Sequence, residues 1–142
     1  MAAGTWTPTN TGRSDILSAV VNIGTDTYKM ALFTSASNLG PSSTTYAGVT
    51  NEVGTTSTGY STGGVSVTLS KSGTTTVTVA QSAAASWTAG SAGLTAKWAA
   101  IYEVGGNILC YTLLDSGGAD VTSTSGLAFT VGGTSATVFT LA

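Results

Sequence analysis

Residues 97–114 read KWAAIYEVGGNILCYTLL. Over the first half, Trp98, Ala100 and Tyr102 fall on one face, with Ala99, Ile101 and Glu103 on the other. That period of two belongs to a β-strand, whose successive side chains point to opposite sides. Gly105-Gly106 supplies a two-residue turn signal, because glycine reaches positive φ without steric cost. Ile108 to Leu114 then pairs back. The stretch predicts an antiparallel hairpin.

The same period recurs in both directions. Tyr28, Met30 and Leu32 alternate with Lys29, Ala31 and Phe33 in a first strand. Ser35 to Thr45 is loop, and Tyr46 to Val53 reads as a short strand. Val65, Val67 and Leu69 alternate with hydroxyl residues. After Ser72-Gly73, Val77 and Val79 resume the pattern, so these two runs predict a second hairpin. A last pair joins Leu127, Phe129 and Val131 to Val138 and Leu141 across Gly132-Gly133. Roughly seven to eight strands, with turn signals about every 8–12 residues, predict an all-β fold, an antiparallel β-sandwich or jelly roll.

Residues 1–12 carry no periodicity and read as an extended N-terminal arm containing Trp6 and Pro8. Residues 13–142 read as a single domain. It opens on one short helix at about 14–22, capped by Ser14 or Asp15. Ile16, Leu17, Val20 and Val21 form the apolar stripe of that helix, and Asn22-Ile23-Gly24 ends it.

Composition narrows the function. The chain has no histidine, one cysteine, four Lys or Arg and six Asp or Glu in 142 residues, while Ser and Thr make up about a third. Most enzyme chemistry needs groups that move protons, attack or bind metals, and these are scarce. Charged residues at 7% fall far below the ~25% usual in soluble domains. A thin charged coat suits a chain packed against copies of itself or another protein. Arg13, Lys29, Lys71 and Lys97 are scattered singly, which argues against nucleic acid, since counterion release needs clustered cations. Met1 to Trp6 show no signal-peptide pattern. No apolar run approaches the ~20 residues of a membrane helix. Synthesis in the cytosol, with no membrane partner, is the expectation.

The reactive side chains each have a structural alternative. Asp115 and Asp120 flank Ser116-Gly117-Gly118-Ala119, but the alternate oxygen ligands and closing Glu of a calcium loop are missing. Glu52 and Glu103 are conceivable as an acid/base pair, yet nothing in the sequence unites them. Cys110 lies on an alternating strand, where cysteine acts as a small hydrophobe. Gly54, Gly59, Gly63 and Gly64 precede a strand and not a helix, so they read as turn residues and not a phosphate loop. Thr74 to Thr78 suggest an ice-binding face but lack a fixed period. No catalytic residue, cofactor or metal is expected.

Several stretches carry a resemblance. They are Tyr28-Lys29-Met30-Ala31-Leu32-Phe33-Thr34-Ser35 through Asn38-Leu39, Tyr46 with Thr50-Asn51-Glu52-Val53, and Gly59-Tyr60 with Gly63-Gly64-Val65. Trp87, Leu94-Thr95-Ala96-Lys97, Ala100-Ile101-Tyr102 and Leu114-Asp115 complete the series. From about residue 25 onward the chain resembles small virion structural proteins of tailed bacteriophages, of the capsid decoration or cement type. The resemblance implies a non-enzymatic, homo-oligomeric protein, made in the host cytoplasm. It would bind the outer surface of the major capsid protein shell and stabilise it. Ser116-Gly117-Gly118 carries less charge than that resemblance leads one to expect after Asp115. Trp6 and Pro8 are the candidate contacts with the capsid or a neighbouring subunit. Two alternatives stand beside this one. One is another virion part, such as a tail, head–tail joining or head-fibre base protein. The other is a carbohydrate-binding sandwich using Trp87, Trp98 or Tyr102 as a stacking platform.

Overall fold

A computed structural model describes residues 3–142. Twelve strands account for nearly all its regular structure. They are β1 (Thr7–Pro8), β2 (Tyr28–Phe33), β3 (Val65–Val67), β4 (Leu69–Ser72), β5 (Val77–Gln81), β6 (Ala85–Thr88), β7 (Leu94–Ala96), β8 (Trp98–Glu103), β9 (Ile108–Leu113), β10 (Val121–Ser123), β11 (Ala128–Val131) and β12 (Ala136–Leu141). One helix, α1 (Asn10–Leu17), and a 3-10 turn at Tyr46–Gly48 complete the set. The result is an all-β antiparallel sandwich. A five-stranded sheet, β1-β9-β8-β2-β3, faces a layer built from three pieces, β12-β5-β4, β11-β6 and β10-β7.

The hairpin at 97–114 stands at the centre of the larger sheet, with Trp98 opposite Leu113 and Ile101 opposite Cys110. Its loop is Val104–Gly106: Gly106 N donates to Glu103 O at 3.0 Å, Glu103 N donates to Asn107 O at 3.0 Å, and Gly105 takes φ 82°. Met30, Leu32, Ala99, Ile101 and Leu109 are fully buried on the inner face. They meet Leu69, Val79, Trp87, Leu94, Phe129 and Val138 of the facing layer in one core. Each buried Leu, Ile or Val contributes about 1.5–3 kcal/mol relative to exposure.

The run Val65–Leu69 does not stay in one sheet. β3 pairs with β2, β4 pairs with β5, and the chain turns the corner at Thr68. Only Leu69 onward therefore forms the expected hairpin with Val77 and Val79. Similarly, β7 pairs with β10 while β8 continues in the larger sheet after Lys97. The expected C-terminal pair does not form. β11 pairs with β6, placing Phe129 opposite Trp87, and β12 pairs with β5, so Gly132-Gly133 carries the chain between two pieces. Tyr46 to Val53 gives the 3-10 turn and one bridge, Phe33 to Glu52. The additional strands, β1, β6, β7 and β10, have two to four residues each, too few to establish a period.

The N-terminus differs most from expectation. Residues 4–9, expected in an extended arm, lie along β9, with Thr7–Pro8 as the edge strand β1 (the first two residues of that arm lie outside the described residues). Gly4 N donates to Leu113 O at 2.9 Å, and Thr7 and Pro8 face Tyr111 and Cys110. Proline fits an edge because its missing N–H costs no ladder bond there. The helix begins four residues before the expected start, because Thr9 and not Ser14 or Asp15 caps it. Thr9 Oγ1 accepts from Gly12 N at 2.9 Å. Gly12 lets the helix lie on β9, since a Cβ there would stand 2.2 Å from Leu109 O. After Ser18 the chain leaves the helix, with Ala19 at φ 55°. The expected stripe is thereby split: Val21 is buried and Ile16 half-buried, whereas Leu17 is 86% and Val20 60% exposed.

Candidate functional site

Residues 34–64, between β2 and β3, fold back over the outer face of the larger sheet. Leu39 is buried there with Phe33, Ala31, Ala100, Tyr102 and Ile108, and Tyr46 and Val49 pack against them. The loop is fixed largely by its own polar groups. Asn38 Nδ2 donates to Gly48 O at 3.2 Å, and Asn51 Nδ2 donates to Ala36 O at 2.8 Å.

At the loop's end lies the densest polar cluster described. The Glu52 carboxylate accepts the Tyr46 hydroxyl, the Tyr60 hydroxyl at 2.6 Å and Gly63 N at 2.7 Å. Tyr60 Oη also accepts from Leu32 N at 3.1 Å, and Tyr102 donates to Gly63 O at 2.8 Å. Tyr46 stacks on Tyr102 with centroids 4.5 Å apart and planes 10° off parallel. Gly64 closes the approach: it takes φ 72°, and a Cβ there would stand 1.7 Å from Met30 O.

Burial, followed by the Glu52 carboxylate, pushes all three tyrosine hydroxyls above their ordinary value. They are held as neutral donors across the physiological range. Hydrogen bonds to a carboxylate are among the strong ones, and here one carboxylate ties the loop to β2. This geometry fastens the loop to the sheet.

Glu103 belongs to a different neighbourhood. Burial first, then Asp26 and Asp15, raise it above the usual carboxylate range. The Tyr28 hydroxyl beside it is buried, and is likewise pushed up by burial, then by Asp26 and Glu103. Asp15 accepts from Asn107 Nδ2 at 2.8 Å. Glu52 and Glu103 share no hydrogen-bonding partner and sit in separate side-chain networks. Among the described residues, no three His, Cys, Asp or Glu side chains are placed to hold a metal.

The other candidates resolve individually. Asp115 shapes its own turn, its Oδ2 accepting from Ala119 N at 3.1 Å and its carbonyl from Gly118 N at 2.9 Å. Cys110 is wholly buried and its thiol is pushed up by that burial. Thr74 to Thr76 are exposed residues of the β4–β5 loop and not part of a strand face. Of the three rings proposed as a sugar platform, Trp87 is 5% and Tyr102 6% exposed, so neither presents a stacking face. Trp98 is half-buried beside Tyr111, centroids 6.2 Å apart. Trp6 packs partly buried against the main core, and Pro8 is half-buried on the free edge of β1.

A groove was not legible in the sequence. It measures about 720 Å³ and runs between the end of α1 with its following loop and strands β5 and β12. Ile16, Val21 and Ile23 line one wall and Val77, Val79 and Leu141 the other. Leu17 and Val20, in the helix-side segment, stand out into solvent. The available signal was the four-residue apolar set at 16, 17, 20 and 21, which is wider than the two-turn helix can bury. No helix among the described residues is long and apolar enough to cross a membrane. No protein-family model matches the chain, and no curated protein or solved structure matches it significantly.

Proposed function

We propose that this chain is a structural component of a tailed-phage virion, and specifically a capsid decoration protein that binds the outer surface of the major capsid protein shell. The observation that carries the reading is where its few reactive groups are used. Glu52 and three tyrosines fasten a loop, Cys110 fills the core and Asp115 sets a turn. The chain's chemistry is spent on holding a rigid shape, and its work is done by surfaces. The resemblance of residues 25–142 to decoration proteins points the same way.

On this reading the N-terminal edge meets the shell. Trp6 is anchored on the domain yet partly exposed, and Pro8 sits on the strand edge beside it. An aromatic ring already held in place loses little entropy on docking. Repetition over a symmetric shell then lets modest contacts suffice through avidity. The protein acts without catalysis or cofactor.

The test is co-sedimentation of the purified chain with expanded coat-only shells of its phage. Saturable binding at hundreds of copies per shell, with a raised shell dissociation temperature, is expected. Trp6→Ala should weaken binding at least 10-fold while the free protein remains folded. Absence of binding to shells, together with recovery in isolated tails, would overturn the capsid assignment in favour of a tail or joining protein.

A further inference from the structure

We infer that residues 34–51 form a flap that opens as one unit while the rest of the domain stays folded, with the Tyr46 hydroxyl on Glu52 as its latch. The inference does not depend on the virion reading. The two ends of the segment meet in a narrow neck. Thr34 N donates to Asn51 O at 2.9 Å, Val53 N donates to Leu32 O at 2.9 Å, and Asn51 takes a left-handed φ of 59°. Adjoining ends and a body packed by its own side chains are the marks of an Ω-loop. Within that body, Thr50 N donates to Asn38 Oδ1 at 2.8 Å, Asn38 Nδ2 to Gly48 O at 3.2 Å and Gly40 N to Ser43 Oγ at 3.0 Å. These bonds travel with the flap and survive its opening.

What holds the flap down is small and local. Among residues 34–51 only Leu39 is buried, with Tyr46 and Val49 half-buried beside it. Leu39 sits with Ala31, Phe33, Ala100, Tyr102 and Ile108 in a small outer core, and no flap residue belongs to the main core. Further ties are Asn10 N donating to Pro41 O at 2.9 Å, Ile108 N donating to Thr44 O at 2.7 Å, and the stack of Tyr46 on Tyr102. A segment with few buried apolar groups opens at a lower free energy than the whole domain. The other half of the latch stays in place, because Glu52 also holds Gly63 N and the hydroxyl of Tyr60, whose ring is in the main core. The closed state dominates, and opening is a minor excursion. It uncovers Phe33, Tyr102 and Ile108, extending the half-buried Trp98–Tyr111 pair across the same sheet face.

Thiol labelling of the full chain tests this, with Cys110 as an internal control because it lies in the main core. In Leu39→Cys, the thiol at position 39 should react at least about 100-fold faster than Cys110, since it needs only the flap to open. Adding Tyr46→Phe removes the latch bond and keeps the ring on Tyr102. The rate at position 39 should then rise at least about 3-fold, with Cys110 unchanged. Hydrogen exchange of the unaltered protein, followed residue by residue, gives a second reading that needs no substitution. The amides of Asn10 and Ile108, whose acceptors lie on the flap, should exchange at least about 100-fold faster than the hydrogen-bonded amides of β5 and β8. Equal labelling at positions 39 and 110, exchange of Asn10 and Ile108 only with global unfolding, or a Tyr46→Phe change that alters both thiols alike or neither would overturn the inference. Failure of shell binding would leave it standing.

Discussion

Thr9 offers a sharp test of whether the N-terminus belongs to the domain. Its side chain is fully buried, donates to Ile108 O at 2.6 Å and accepts from Gly12 N at 2.9 Å. One hydroxyl therefore caps α1 and pins β1 to β9. Thr9→Val keeps the shape and removes both bonds. Loss of the cap, which strands the Gly12 N–H, costs about 1 kcal/mol, and leaving the buried Ile108 carbonyl without the hydroxyl costs about 1–3 kcal/mol more. The sum is about 3 kcal/mol, a large part of the ~5–15 kcal/mol that holds a domain together. For a chain of this size that lowers Tm by roughly 6–12 °C. Thr9→Ser keeps the hydroxyl and loses one methyl, at a cost of about 1 kcal/mol. Urea unfolding, with the m-value checked for constancy, reads all three proteins. If Thr9→Val proves as stable as Thr9→Ser, the N-terminal segment does not hold the fold as described.

Two further outcomes follow from buried and crowded groups. Cys110 is sealed in the core with its thiol pushed up, so a thiol reagent at neutral pH should label it at least ~1,000-fold more slowly than a free thiol, at a rate that tracks unfolding; labelling at the free-thiol rate would contradict its burial. Glu103 is raised in the folded protein, so the folded state binds more protons than the unfolded chain just above the ordinary carboxylate range, and stability falls as pH rises through that window. Glu103→Gln should therefore have a higher Tm than wild type at neutral pH, with the difference shrinking toward about pH 4; a difference constant with pH would refute the assignment.

How much was legible in the sequence depended on the range of the interaction. Strict alternation in Tyr28–Phe33 and Trp98–Glu103 marked strands of six residues, long enough for a period of two to show. The glycines at 105 and 106 placed the hairpin, because only a turn needs them there. Composition already turned attention away from catalysis and toward surfaces. The Glu52 cluster escaped sequence reading because its members, Tyr46, Glu52, Tyr60, Gly63 and Tyr102, share no spacing. They meet only when the 34–64 loop folds over the sheet.

The local code thus settled the class: antiparallel strands, one short helix near the N-terminus, and a chain poor in reactive groups. Tertiary structure alone decided the pairing. Whether Val131 returned to Val138 or crossed to another piece turned on which partner buried Phe129 against Trp87, a contact between residues far apart in sequence. It also decided which face of the 16–21 segment met the core, because Thr9 set where the helix began. Side-chain periodicity reports that a face is apolar; only packing determines whether that face is buried within the chain or left for a neighbour.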